Sequence, residues 1–299
     1  MPTLETHNGY PLWHYIPNRP AAVVFMILFI IATVYHGVAM IRHRLWFCIP
    51  FVIGGLFEII GYLGRILAYN ETGELIPYIL QSIFLLLAPV FFAASLYMTL
   101  GRTVFHTIHT STLAASQSAS VASLTSLSLL PPRWITRIFV TADVLSFFIQ
   151  GGGAGMLVKA DSASSTKTGQ NIIVGGLVFQ IVAFAVFIIS VGVFDLRCRR
   201  MAVPVAPRIL PMLYVTSFLV MLRNIVRAAE YAGGQDGYLL LHEWVIYVLD
   251  GAPMLLVMGA FAAGYPSVLK KDTKNAPGME SVASNDVELG SQDQTQRRW

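Results

Sequence analysis

Long runs of apolar residues, separated by short polar segments, fill most of this chain. Each run is about 20 residues long, which is the length that an α-helix needs to cross the hydrocarbon core of a bilayer. Runs such as 23–32 and 83–90 are unbroken, whereas the strands of a membrane β-barrel alternate apolar and polar residues over about 10 positions. We therefore predict an all-α polytopic membrane protein with seven transmembrane helices. The predicted helices span residues 20–41, 46–68, 76–99, 135–158, 171–194, 209–229 and 242–264.

The composition agrees with a membrane protein. Hydrophobic residues make up 55% of the chain and charged residues 12%, and the mean hydropathy is +0.63. A soluble domain has about twice that charged fraction. The two cysteines, Cys48 and Cys198, provide no disulfide framework. We predict a polar N-terminal tail over 1–19, without the apolar stretch of a signal peptide. A membrane domain over 20–268 and a polar, disordered tail over 269–299 follow.

Basic residues concentrate in every second loop and in the C-terminal tail. They include Arg42, Arg44, Arg102, Arg133, Arg197, Arg199, Arg200, Arg208, Lys270, Lys271 and Lys274. Because loops rich in Lys and Arg stay in the cytosol, we predict an extracellular or lumenal N-terminus and a cytosolic C-terminus. The Ser-, Thr- and Ala-rich loop 103–134 is then cytosolic. A weak glycosylation sequon at Asn70 falls in a loop on the outer side, in agreement with this orientation.

Ionisable side chains interrupt several of the apolar runs. The eight groups are Glu58, Arg65, Asp143, Arg223, Arg227, Glu230, Glu243 and Asp250. Within a helix their spacing is mainly four or seven residues, which places them on one face. A charge facing lipid costs several kcal/mol, so such residues normally face the interior of a bundle or a wet cavity. The pattern therefore predicts a polar site inside the bundle.

The predicted orientation gives this site a depth and a charge. Most of the ionisable groups fall in the outer half of the membrane, with Glu58 and Asp250 deepest and without an obvious spare base. Gln150 shares a helical side with Asp143 and adds a neutral polar group. Five acids face three arginines, an excess of two negative charges when all are ionised. Either a proton or a visiting cation can neutralise that excess, which favours proton coupling or the binding of an amine.

Two structural alternatives stay open at this point. The charges could simply join helices, with Arg65 bridging to Glu243 and Arg227 to Glu230 or Glu58, and buried ion pairs of this kind contribute little net stability. The glycines at 151–153 could serve close helix packing, or they could loosen the fourth helix near the middle of the membrane, as in some transporters.

Motifs for nucleotide and metal chemistry are scarce. The chain has no phosphate-binding loop. His242 and Glu243 begin like the helix of a zinc protease, but Ile246 stands where the second histidine should be. A hydrolase would need a metal held by His36, His242, Glu243 and Asp250. We expect no cofactor and no enzymatic activity.

Several of these segments together resemble the fungal RTA-like family, also called the lipid-translocating exporter family. The matching stretches lie at 58–65, 88–102, 143–153, 175–180 and 223–250, and the resemblance covers about residues 18–268. It implies a seven-helix protein of the plasma membrane or endomembranes. Members are associated with export of, or tolerance to, amphiphilic compounds such as sphingoid bases and amino-sterols.

Together, the residues and the resemblance predict an exporter of amphiphilic, cationic, lipid-like molecules. Glu58 and Asp250 would bind the amine or carry a coupled proton. Arg65, Arg223 and Arg227 would hold those acids ionised or contact a head-group oxygen, and Glu230 and Glu243 would lie at the outer mouth. A receptor-like lipid sensor without transport is the alternative. The expected partners are membrane lipids and an amphiphilic ligand, and no nucleic acid.

Overall fold

The structure, a computed structural model, describes residue 13 and residues 15–70, 72–114, 132–158, 163–233, 237–266 and 269. Within these ranges seven helices are long and apolar enough to cross a membrane, and no residue is in a strand. The prediction of an all-α protein with seven membrane helices is confirmed. Residues 1–12, 115–131 and 270–299, which hold most of the predicted tails and loop, lie outside the described residues.

The helices are α1 (Arg19–His43), α2 (Ile49–Ala68), α3 (Leu75–Ala114), α4 (Pro132–Val158), α5 (Ala163–Arg200), α6 (Ile209–Ala232) and α7 (Ala252–Ala263). A short 3-10 helix, Trp46–Cys48, leads into α2. A single turn, Tyr238–Leu241, follows α6, and a π-helix, Ile246–Gly251, runs directly into α7. The seventh span therefore starts four residues later than predicted and is irregular in its first half.

The third helix is much longer than predicted. It runs over Leu75–Ala114 rather than 76–99, so the first part of the predicted loop 103–134 is helical. Its polar residues do not break the helix because their hydroxyls donate to backbone carbonyls one turn earlier. Thr99 bonds to the Ser95 carbonyl at 2.7 Å, and Thr103 bonds to the Thr99 carbonyl at 2.7 Å.

The fifth helix also extends beyond its predicted bounds at both ends. It spans Ala163–Arg200 rather than 171–194. At its last turns Arg199 Nε donates to Asp195 Oδ1 at 2.9 Å, an (i, i+4) pair that supports helical continuation. The apolar pattern marked only the part of this helix that lies in hydrocarbon, since hydropathy does not report where a helix ends in water.

Consecutive helices pack side by side, and α3 lies at the centre, against α2, α4, α5 and α6. Glycines bring α2 and α3 close together. A Cβ at Gly54 would lie 2.8 Å from the Phe92 ring, and one at Gly64 would lie 2.9 Å from the Gln81 backbone nitrogen. This supports the packing role of the glycines in α2, since small residues let membrane helices approach closely.

The glycines of α4 do not loosen that helix, which is continuous through 151–153. Only Gly153 is needed for packing, since a Cβ there would lie 2.8 Å from the Gly169 carbonyl oxygen. A Cβ at Gly151 or Gly152 would meet no atom within 4 Å. Of the two alternatives, loosening of the fourth helix is therefore not seen, and the irregular segment lies in the seventh span instead.

The bundle carries apolar residues on its outside and charged residues inside. Phe148 is 68% exposed and Phe218 is 66% exposed, whereas Arg65 is 0% exposed and Arg223 is 2% exposed. This arrangement is stable only when lipid covers the outer surface. The protein is therefore an integral membrane protein.

The two ends of the bundle differ in charge. At one end Asn18 caps α1, with its side chain accepting from the Ala21 backbone N–H at 3.1 Å. We call this end the N-terminal side. The opposite end holds Arg44, which ends α1 in a left-handed conformation, and the last turn of α5 with Arg199 and Arg200. We call it the arginine-rich side. Its assignment to the cytosol stays a prediction.

Candidate functional site

The polar residues inside the bundle form three separate clusters. The central cluster consists of Glu58, Arg223, Arg227, Glu230 and Asp250. The Arg65 cluster consists of Tyr15, Asn18, Arg65, Gln81, Glu243 and Tyr247. The Asp143 cluster consists of Tyr97, Asp143, Ser146, Gln150 and Gln180. All candidate residues predicted inside the membrane fall into one of these clusters, but they do not form a single cavity.

In the central cluster Asp250 lies between two arginines of α6. Arg223 Nε donates to Asp250 Oδ1 at 2.5 Å, and Arg227 Nη2 lies 3.9 Å from Asp250 Oδ2. Arg227 Nη1 donates to Glu230 Oε2 at 2.9 Å, one turn along the same helix. The expectation that Asp250 lacks a spare base is therefore wrong. Its carboxylate is the shared partner of both arginines.

A backbone carbonyl completes the surroundings of Arg223. Arg223 Nη2 donates to the Leu85 carbonyl at 2.6 Å. That carbonyl is free to accept because Pro89, four residues later in α3, has no N–H to give it. The proline thus leaves a polar acceptor in an apolar helix, and the acceptor is directed at the arginine that holds Asp250.

Glu58 is the exception in the central cluster. It is 2% exposed, and among the described residues it has no hydrogen bond or ion pair. The charged groups that influence it electrostatically are Asp250, Arg223 and Arg227. Arg227 pairs with Glu230, so the predicted alternative of an Arg227–Glu58 pair is not formed.

The cluster is consequently unbalanced by one charge. Three carboxylates (Glu58, Glu230 and Asp250) face the guanidinium groups of Arg223 and Arg227 when all are ionised. An uncompensated buried charge costs several kcal/mol. The carboxylate of Glu58 therefore needs a proton or an external cation.

Unpaired polar atoms occur next to Glu58 as well. The Tyr62 hydroxyl, one turn further along α2, is buried and has no hydrogen-bond partner within the described part of the chain, and neither has Arg227 Nε. Aromatic rings surround the Tyr62 side chain. Phe25 and Phe29 stack on its ring with centroids 5.5 Å away, and the Tyr247 ring lies 6.1 Å away. Aromatic rings therefore lie one helical turn from Glu58, around a hydroxyl that has no partner among the described residues.

The Arg65 cluster closes the N-terminal side of the bundle. Arg65 makes four hydrogen bonds, to Tyr247 Oη at 2.9 Å, Gln81 Oε1 at 3.0 Å, Tyr15 Oη at 3.1 Å and Glu243 Oε1 at 2.7 Å. These partners come from the π-helix, α3, the N-terminal segment and the loop before the π-helix. The predicted pair of Arg65 with Glu243 is confirmed. Each of its three guanidinium nitrogens donates to a protein group, so Arg65 joins four parts of the structure.

The Asp143 cluster lies elsewhere, between α3, α4 and α5. Tyr97 Oη donates to Asp143 Oδ2 at 2.8 Å. Gln150 Nε2 donates to Ser146 Oγ at 2.7 Å and to Gln180 Oε1 at 3.2 Å. None of these described groups contacts an arginine. The structure therefore separates Asp143 and Gln150 from the central cluster, with which the sequence pattern grouped them.

The metal-site alternative is contradicted. His36 Nε2 bonds to the Met258 carbonyl at 3.0 Å within an aromatic group near the arginine-rich side. His242 Nδ1 bonds to the Tyr238 carbonyl at 2.8 Å on the N-terminal side. The described part of the chain contains no group of three or more His, Cys, Asp and Glu side chains that could hold a metal.

Sequence reasoning missed several members of the site. The hydroxyls of Tyr15 and Tyr247 and the Leu85 carbonyl were not predicted. A signal for the carbonyl was present, because Pro89 inside an apolar helix leaves the acceptor four residues earlier unpaired. Tyr247 lies one helical turn after Glu243, which is the spacing of residues that share a partner. Tyr15 carried no such signal.

Comparison with known proteins gives a consistent result. A family model described as "RTA1 like protein" matches residues 51–273. Protoporphyrin uptake protein 1 of Saccharomyces cerevisiae is 34% identical, over 87% of this chain and 93% of its own length. Protein RTA1 of the same yeast is 31% identical, over 87% and 86%. The yeast sphingoid long-chain base transporter RSB1 is 24% identical, over 84% and 72%. No solved structure matches the chain significantly.

Proposed function

This chain belongs to the RTA1-like protein family, and we propose that it transports amphiphilic molecules with a cationic head group across the membrane. Sphingoid bases and amino-sterols are the ligand class that fits best. Relatives are named as a sphingoid base transporter and an uptake protein, which supports lipid-related transport at the level of the family. The finer assignment to cationic amphiphiles rests on the central cluster.

The observation that carries this proposal is the state of Glu58. It is a buried carboxylate with no hydrogen bond or ion pair among the described residues, and the nearby arginines already hold Asp250 and Glu230. A ligand ammonium group placed at Glu58 would balance the cluster. A proton would do the same in the absence of ligand. Exchange between the two gives a simple means of coupling ligand movement to protons.

The surroundings of Glu58 suit the rest of such a ligand. The rings of Phe25, Phe29 and Tyr247 pack around Tyr62, which lies one helical turn from Glu58, and aromatic faces attract cations and accept hydrocarbon. The free Tyr62 hydroxyl can bond to a head-group hydroxyl or amine.

The charge of the ligand follows from the same pairing. Protoporphyrin, named for one relative, carries carboxylate groups and would need free arginines. In this chain Arg223 and Arg227 are each bonded to a carboxylate. An anionic ligand would first have to displace Asp250 or Glu230, whereas a cation meets an unpaired acid. The geometry therefore favours a cation over an anion.

We place the transporter in the plasma membrane, with the N-terminal side facing the exterior. The proposed orientation follows the distribution of arginines, because cytosolic loops carry an excess of basic residues, and the plasma membrane is the location that the family resemblance implied. Movement of a toxic amphiphile toward the N-terminal side would then be export, and it would confer tolerance on the cell.

The test is flux of a labelled sphingoid base through proteoliposomes that contain the purified protein. Glu58→Gln should abolish the protein-dependent flux, because the amide cannot neutralise an ammonium. Asp195→Asn is the matched control, since this acid pairs with Arg199 near the arginine-rich side, and it should retain wild-type flux. Wild-type flux from a well-folded Glu58→Gln protein would contradict the proposal. Saturable ligand binding without any flux in the wild type would favour the lipid sensor.

A further inference from the structure

The segment before α1 is folded onto the N-terminal side of the bundle. This N-terminal segment consists of Trp13 and residues 15–18. Trp13 is 5% exposed and packs edge-on against the Tyr78 ring, with centroids 5.8 Å apart. The backbone N–H of Asn18 donates to Glu243 Oε1 at 2.6 Å, and Tyr247 Oη lies 3.2 Å from the Asn18 carbonyl oxygen. The segment therefore covers the end of the bundle where α2, α3 and the π-helix meet.

Arg65 is the point to which the segment is attached. Its guanidinium carbon lies 5.9 Å from the centroid of the Trp13 ring, 5.3 Å from that of Tyr15 and 5.1 Å from that of Tyr247. Rings at this distance attract a cation. Together with the hydrogen bond from Arg65 to Tyr15, they hold the segment closed over the bundle.

The attachment can nevertheless be released at moderate cost. Each hydrogen bond contributes only about 1–3 kcal/mol net, even when one partner is charged. Water reaches this side, since Asn18 is exposed and the side chain of Glu243 is 22% exposed. When the N-terminal segment opens, the polar groups that lose their partners would thus be hydrated by water rather than exposed to hydrocarbon.

The same contacts are connected to the central cluster through the π-helix. Tyr247 accepts from Arg65 Nε at 2.9 Å, and Asp250, three residues later, accepts from Arg223. Both lie within the six residues of Ile246–Gly251. A π-helix is rare and holds one extra residue per bulge compared with an α-helix, and it often marks a functional site.

We propose that the N-terminal segment is the outer gate of the transporter and that the π-helix connects this gate to the ligand site. This inference rests on the proposed function. A cation bound at Glu58 that also contacts Asp250 competes with Arg223 for the Asp250 carboxylate. The π-helix can then re-form as an α-helix. Successive residues of an α-helix are about 100° apart around the axis, which is a larger angle than in the wider π-helix, so side chains in this segment change direction. Tyr247 and Asp250 cannot both keep their partners through that change, so Tyr247 leaves Arg65 and the segment opens.

A reversible cross-link tests whether the segment must move. The native thiols are first removed by Cys48→Ala and Cys198→Ala. Two new thiols are then introduced together, by Trp13→Cys and Tyr78→Cys. A short bifunctional thiosulfonate then ties the segment to α3. Flux of labelled sphingoid base should be lost on cross-linking and return on reduction of the same sample. Each single-cysteine protein, treated identically, should be unaffected. Equal flux in the cross-linked and reduced states would overturn the gate.

A second readout does not depend on transport. Gln81→Cys places a thiol beneath the segment, and its rate of modification by a membrane-impermeant maleimide reports opening in nanodiscs. Asp250→Asn should raise that rate about tenfold, because the lost bond to a charged partner is worth at least that factor. Asp143→Asn removes a buried acid that does not contact the π-helix and should leave the rate unchanged. Equal rates in both variants would overturn the connection between site and gate.

General unfolding is controlled for in the same samples. Cys48 is buried near the arginine-rich side and should stay unmodified in a Cys198→Ala, Asp250→Asn protein. Modification of Cys48 as well as of the thiol introduced by Gln81→Cys would show that the whole bundle has loosened. That result would count against a local gate. A protein that shows gated labelling but no flux in any state would refute transport while leaving the gate in place.

Discussion

Glu58 and Asp250 belong to one cluster, yet their surroundings are opposite. Asp250 pairs with Arg223 at 2.5 Å and with Arg227 at 3.9 Å, whereas Glu58 has no partner among the described residues. Burial without a partner is costly for an ionised carboxylate. The two acids should therefore respond differently to the same chemical change, which is replacement of the carboxylate by an amide.

At the residue scale we expect the two amide substitutions to differ in stability. Glu58→Gln removes a carboxylate that has no hydrogen bond or ion pair among the described residues, so the melting temperature should be unchanged or higher. Asp250→Asn leaves Arg223 buried with a weakened partner, so it should cost about 3 kcal/mol or more. Thermal unfolding of the purified proteins in one detergent measures both. A lower melting temperature for Glu58→Gln than for Asp250→Asn would show that the pairing is misassigned.

The sequence identified these residues but not their pairing. Glu58, Arg223 and Asp250 could be selected because charges in apolar helices face inward. Which arginine meets which acid depends on the rotation and depth of helices that are far apart in the chain. The same reason explains Asp143, which the pattern grouped with Asp250 and which instead bonds to Tyr97 of α3.

At the scale of the elements, the π-helix Ile246–Gly251 is the segment that departs from regular membrane helices. Gly251 ends it at a point of close contact. A Cβ at this glycine would overlap the Tyr62 hydroxyl and would lie 2.9 Å from the Phe25 ring. The absence of a side chain at Gly251 thus allows α2 and the seventh span to approach each other beside the central cluster.

We expect Gly251→Ala to destabilise the protein by about 1–3 kcal/mol through overpacking. Adding Tyr62→Phe should recover part of that loss, because it removes the oxygen that the new methyl group meets. Gly259→Ala, in α7, is the matched control. A Cβ there meets no atom within 4 Å, so helix propensity alone should make it neutral or slightly stabilising. Melting temperatures of these three variants decide the matter, and equal losses at both glycines would argue against the close contact.

The lengths of α3 and α5 show where hydropathy is informative and where it is not. The apolar runs located both helices in the chain. They gave the wrong ends because the last turns of α3 contain threonines that bond to their own helix, and those of α5 contain the Asp195–Arg199 pair. Such local bonds extend a helix into water, where composition no longer distinguishes helix from loop.

At the scale of the whole molecule, the predicted orientation in the membrane rests on the distribution of charge. The arginine-rich side holds Arg44, Arg199 and Arg200, whereas the N-terminal side is closed by Arg65, which is buried and paired. Surface bases therefore lie mainly on one side of the described bundle. The positive-inside rule assigns that side to the cytosol.

We expect protease added to sealed, right-side-out plasma-membrane vesicles to remove an epitope tag placed before Met1. A tag placed after Trp299 should survive until detergent is added. If the tag before Met1 is protected and the tag after Trp299 is removed, the orientation is opposite to the predicted one. The proposed export would then be uptake. The tagged proteins should also retain flux, so that the orientation measured is that of the functional form.

The sequence alone determined that this chain is a seven-helix membrane protein with charges inside, since both properties follow from composition and short-range spacing. It also indicated the orientation, because basic loops are read along the chain. Tertiary structure decided that Asp250 is paired, that Glu58 has no partner among the described residues, that Asp143 stands apart, and that residues 15–18 close one end. These depend on how distant helices rotate and pack against one another, and no local pattern specifies that packing. The same packing connects the central cluster to the N-terminal segment through the π-helix, which is the basis for the proposed ligand and gate.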